Sequence, residues 1–70
     1  MKQNQPVTFG SRLETQRQRA GMSQRKAARA ADVTDETWRS WEGGTTSPPV
    51  ARLGAIAAVL GCDVADLLPG

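Results

Sequence analysis

The sequence predicts an all-α domain of five short helices, and three observations support that fold class. Ten of its 27 apolar residues are alanine, which suits closely packed helices with short core side chains better than β-branched strands. Apolar positions recur at steps of three and four. Each such run is preceded by a capping residue and followed by a glycine, a proline or a left-handed-tolerant Asp.

Seventy residues hold one small domain. Residues 1–7 read as a flexible tail running through Pro6, and residues 8–70 as the domain. Thr8 is placed to cap a first helix with Phe9, Leu13, Gln16, Arg17 and Ala20 inward, and Gly21 ends it. Ser23 caps a second, with Met22 before the cap stapled to Ala27 and with Ala27, Ala28 and Ala31 on one face. The Asp32-Val33 step makes a tight connection because Asp tolerates the left-handed backbone. Thr34 caps a third helix reaching Glu42, with Thr37, Trp38 and Trp41 inward and Asp35, Glu36, Arg39 and Ser40 outward. Gly43-Gly44 stops it.

After a loop from Thr45, Ser47 as cap and Pro48 at the first helical position open a fourth helix with Leu53, Ile56, Ala57 and Leu60 inward, closed by Gly61. Asp63 and Asp66 resemble a capping box for a fifth, carrying Val64, Leu67 and Leu68 and stopped by Pro69.

Composition removes several functions. There is no histidine, no tyrosine and one cysteine, so disulfide frameworks, most zinc sites and the commonest general base are absent. No catalytic residue, metal site, cofactor or small-molecule ligand is therefore expected. Cys62 reads as a small buried hydrophobe, and Asp63 with Asp66 as caps rather than metal ligands. Without an apolar stretch near the start, neither a signal peptide nor a membrane span is expected, and the cytoplasm is the expected location.

Charge is unevenly distributed. The first 31 residues carry seven basic side chains against Glu14, a net of +6, whereas residues 32–70 carry Arg39 and Arg52 against six acids, a net of −4. Such polarity suits a polyanion or an acidic protein on the basic side, and solvated helix faces are the plain alternative.

Helix two, a short turn and helix three make a helix-turn-helix over about 23–42. The residues Gly21-Met22-Ser23-Gln24, Ala28, Val33-Thr34, Thr37, Trp41-Glu42 and Gly44, followed by Pro48 and a leucine-bearing helix, resemble the Cro and lambda-repressor type of helix-turn-helix, the xenobiotic response element family. The resemblance spans roughly residues 9–68. It implies a compact five-helix lambda-repressor-like domain of a bacterial or phage transcriptional regulator, a repressor for example. Helix three would lie in the major groove of double-stranded operator DNA, the start of helix two on the phosphate backbone, and a homodimer on a two-fold related site. It also implies that Arg17 pairs with Glu42 as a structural ion pair. The family usually has large aliphatics where this chain has Ala27 and Ala31, and aliphatics where it has Trp38 and Trp41, so core volume is exchanged between facing helices.

Against that expectation, helix two carries Arg25 and Lys26 in its first turn, where acids would suit the helix dipole. A phosphate there would reverse the penalty, held by Ser23, Gln24, Arg25 and Lys26, with Thr45, Thr46 and Ser47 on the other side of the backbone and Arg52 adding charge. The base-reading positions are Thr34, Asp35, Glu36, Thr37, Arg39 and Ser40. Asp35 and Glu36 either accept from cytosine amino groups or only stabilise the helix start and repel phosphates. Their acidity also suits an alternative, a helix-turn-helix protein-interaction module, antitoxin-like or adaptor, facing a basic partner. For pairing of copies, helix five with Val64, Leu67 and Leu68 is one candidate surface.

Overall fold

The computed structural model describes residues 8–68, so the predicted tail at 1–7 lies outside the described residues. Every described element is helical: α1 Phe9–Arg19, α2 Gln24–Ala30, α3 Asp35–Gly43, a 3-10 turn Val50–Arg52 leading into α4 Leu53–Leu60, and a closing 3-10 helix Val64–Leu67.

The helix starts are local events. Thr8 Oγ1 accepts from Ser11 N and Ser11 Oγ from Thr8 N, both at 3.1 Å, a reciprocal capping box that satisfies two N–H groups at the start of α1. Ser23 Oγ accepts from Lys26 N at 3.0 Å and Thr34 Oγ1 from Thr37 N at 3.1 Å, so α2 and α3 start at the two expected caps. Between them Asp32 adopts φ 62°, the left-handed turn expected of it, and Val33 N donates to Ala28 O at 2.9 Å. That turn sets the angle between α2 and α3.

Three expectations need correction. The described residues form four α-helices rather than five, because the segment after Asp63 winds as a four-residue 3-10 helix, too short for an α-helical ladder. There the Asp66 carboxylate accepts from Asp63 N at 3.0 Å, the reaching-back half of the expected capping box. Secondly, Ser47 caps nothing: the fourth helix begins two residues late, as a 3-10 turn after Pro49 with no side-chain cap. Proline disfavours α geometry in the residue before it, so Pro49 keeps Pro48 from opening the helix, and Pro48 is instead buried. Finally, Ala20 is exposed, since α1 ends at Arg19 and Ala20 belongs to its cap.

The core joins Leu13 of α1, Ala27 and Ala28 of α2, Trp38 and Trp41 of α3, Ile56, Ala57 and Leu60 of α4, and Leu67. α3 packs on both α1 and α2. Trp38 and Trp41 are buried with ring centroids 5.7 Å apart and planes tilted by 55°, a favourable aromatic geometry. Two fully buried alanines in α2 leave the room that the indoles fill. α1 approaches the end of α3 so closely that a Cβ on Gly10 would lie 2.5 Å from Glu42 O and 2.8 Å from Trp41 O. Only glycine fits there.

Leu67 is fully buried, which removes it from the candidate pairing surface. Among the described residues, Leu68 and Val50 are the large apolar side chains left exposed.

Candidate nucleic-acid interface

Glu42, at the inner end of α3, is the anchor of the helix-turn-helix. Arg17 Nε of α1 donates to its Oε2 at 2.6 Å and Arg17 Nη2 to its Oε1 at 3.3 Å, the predicted ion pair in bidentate form. Gln24 Nε2 of α2 donates to Oε1 at 2.9 Å, and the Trp38 indole Nε1 to Oε2 at 2.6 Å. Arg17 Nη1 also donates to Met22 O at 2.8 Å, in the segment linking α1 to α2. One carboxylate thus ties three helices together.

Its electrostatics follow from that. Burial pushes the Glu42 carboxyl upward, but hydrogen bonds from Arg17, Gln24 and Trp38, with the Arg17 charge, outweigh it and hold the pKa below the ordinary value. With the pair's side chains 12% and 5% exposed, neither charge would be stable there without the other.

The roles of Gln24 and Trp38 refine the reading from sequence. Gln24, expected on phosphate, has one amide hydrogen on Glu42 and keeps the second, with its carbonyl oxygen, unbonded among the described residues. Trp38 was expected as core alone. Its four-residue spacing from Glu42 on one helix was the available signal for the bond between them.

Outward from this anchor the remaining site residues form two groups. At the start of α2, Ser23, Arg25 and Lys26 are exposed, and neither cation is in an ion pair among the described residues. Along α3, Glu36 and Arg39 are exposed, and Asp35, Thr37 and Ser40 half-buried. Thr34 Oγ1 donates to Thr37 Oγ1 at 2.8 Å, which leaves the Thr37 hydroxyl hydrogen free to donate outward. Beyond α3, Thr45, Thr46 and Ser47 are exposed, and Thr46 Oγ1 lies 2.8 Å from Ser40 Oγ. The structure thereby joins Ser40 with Thr46, Thr34 with Thr37 and Gln24 with Glu42. Arg39, Arg52, Thr45 and Ser47 have no side-chain bond among the described residues.

Cys62 lies apart from this face. It is half-buried, and burial first, then Asp66 and Asp63, push its thiol above the ordinary range, away from nucleophilic use.

A family model described as a helix-turn-helix domain matches residues 8–68. Among solved structures, the clp gene regulator ClgR from Corynebacterium glutamicum is 27% identical with a TM-score of 0.79, covering 84% of this chain and 63% of its own. The P22 c2 repressor, solved in complex with a synthetic operator, is 24% identical with a TM-score of 0.80, over 89% of this chain and 94% of its own; at that identity the likeness is one of fold. Hydroxypropylphosphonic acid epoxidase from S. wedmorenis is 32% identical with a TM-score of 0.80, over 87% of this chain but 32% of its own. The chain therefore spans less than two thirds of the ClgR chain and about one third of the epoxidase. No curated relative matches the sequence.

Proposed function

The chain belongs to the helix-turn-helix domain family, and from that premise we propose that it is a sequence-specific, non-enzymatic regulator of transcription that binds double-stranded DNA. α3 enters the major groove, and the start of α2 lies against a backbone phosphate. The observation that carries the reading is the pair of exposed, unpaired cations Arg25 and Lys26 in the first turn of α2, beside the free Ser23 hydroxyl hydrogen and the second Gln24 amide hydrogen. Two positive charges at the positive end of a helix are unfavourable until an anion arrives. A phosphate supplies it.

On the second flank, Thr45, Thr46 and Ser47 donate hydroxyl hydrogens to the neighbouring backbone, and Arg52 adds charge. Base reading falls to the outward residues of α3. Asp35 and Glu36 are acceptors suited to cytosine amino groups, Thr37 is a donor, Arg39 is suited to guanine, and the methyl of Thr34 to thymine. Ser40 holds the last outward position. A module this small buries too little surface for useful specificity alone, so it acts as a dimer on a two-fold related site. The cytoplasm is the place of action proposed for it, as for other regulators that act on DNA. No helix among the described residues is long and apolar enough to cross a membrane.

The test is fluorescence anisotropy with a random-duplex pool, followed by selection of bound sequences, at about 50 and about 200 mM salt. Steep weakening with salt and enrichment of a two-fold motif is the expected result. Absence of binding at either salt would overturn it and turn attention to a protein partner for the acidic start of α3.

A further inference from the structure

The loop leaving α3 folds back onto a single residue. Ser40 O accepts from Gly44 N at the helix cap, from Thr45 N at 3.0 Å and from Thr46 N at 3.4 Å, while Ser40 Oγ and Thr46 Oγ1 lie 2.8 Å apart. Ser40 is therefore joined to the following loop through both backbone and side chain. By sequence it occupies an outward position of the groove-facing helix, and Thr46 belongs to the loop assigned to phosphate.

We infer that Ser40 is a positioning residue for that phosphate-binding loop rather than a reader of bases, so that sequence preference is set by the first turn of α3 and by Arg39. The inference rests on the DNA reading above and adds to it a division of labour along α3. Either hydroxyl can donate in the free protein. A backbone phosphate, however, only accepts, so a Thr46 that contacts it gives its one hydrogen outward and must accept from Ser40. Docking thus fixes the direction of the bond and commits the only hydroxyl hydrogen of Ser40 to Thr46. Ser40 then has no donor for the guanine or thymine acceptors in the groove, and for the adenine and cytosine amino groups it is a weaker acceptor than the Asp35 and Glu36 carboxylates.

The experiment compares the unaltered protein with Ser40→Ala and Ser40→Thr, the latter keeping the hydroxyl. Two readouts are taken: the motif and affinity from duplex selection, and amide hydrogen exchange at Thr45 and Thr46 in the free protein. Loss of one exposed hydrogen bond predicts that Ser40→Ala weakens binding about two- to fivefold on every sequence and speeds Thr46 exchange by a similar factor. The enriched motif should stay unchanged, and Ser40→Thr should restore both readouts. A changed preference at any base pair in Ser40→Ala would overturn the inference, as would unchanged exchange. Failure of the unaltered protein to enrich any motif would overturn the DNA reading instead, and exchange in the free protein would still decide whether Ser40 holds the loop.

Discussion

The two faces of α3 use their polar groups in opposite ways. Inward, the four hydrogen bonds from Arg17, Gln24 and Trp38 converge on the Glu42 carboxylate, and Gly10 backs against its carbonyl with no room for a methyl group. Outward, Thr34 bonds Thr37 and Ser40 bonds Thr46, pairs of hydroxyls at the surface that each keep a hydrogen to give. The inward face has one solution because a buried charge left unpaired is costly. The outward face leaves donors and acceptors unbonded among the described residues.

The sharpest break of this contrast is Glu42→Ala, which strands the Arg17 guanidinium and leaves the Trp38 N–H unbonded. A cost of about 3–5 kcal/mol is expected, enough to unfold most of a domain this small. Urea unfolding followed by circular dichroism measures it. Gly10→Ala comes next: a Cβ 2.5 Å from a backbone oxygen forces α1 away from α3, an overpacking cost of about 1–3 kcal/mol by the same assay.

Acid titration probes the anchor without removing an atom. Because the Glu42 carboxyl is held below its ordinary value of 4.5, its contribution to stability is complete above about that pH and is lost as pH falls through the lower folded-state value. Urea midpoints taken down a pH series should decline below about 4.5 in the unaltered protein, and more shallowly in Glu42→Gln. At the small end, the double change Arg25→Ala with Lys26→Ala should leave the midpoint within about 0.5 kcal/mol. It should nonetheless weaken DNA binding on all sequences and lower the slope of log affinity against log salt by about 2. Loss of stability here would place these cations in the frame rather than in the interface.

What the sequence reveals follows the range over which each interaction acts. The caps Thr8, Ser23 and Thr34 and the left-handed Asp32 are legible because their bonds close within a few residues. The Arg17–Glu42 pair, 25 positions apart, is legible only through the family signature. No local rule gives the closeness of Gly10 to α3, since that depends on how two helices cross. The late start of α4 was readable in principle, because adjacent prolines at 48 and 49 conflict with a helix opening at the first of them. At the candidate interface the residue types were legible. Which of them would bond one another was not, because a hydroxyl on a helix surface has several partners within reach and only the fold selects among them.

The buried anchor also bears on how such a protein changes over generations. Trp38, Trp41 and Glu42 take up the inward face of α3, so Asp35, Glu36 and Arg39 can be replaced without disturbing what keeps the helix in place. On the DNA reading proposed above, mutation at these outer positions is cheap in foldedness and large in effect on sequence preference, the condition under which a lineage can drift to new binding sites by single substitutions while never passing through an unfolded ancestor.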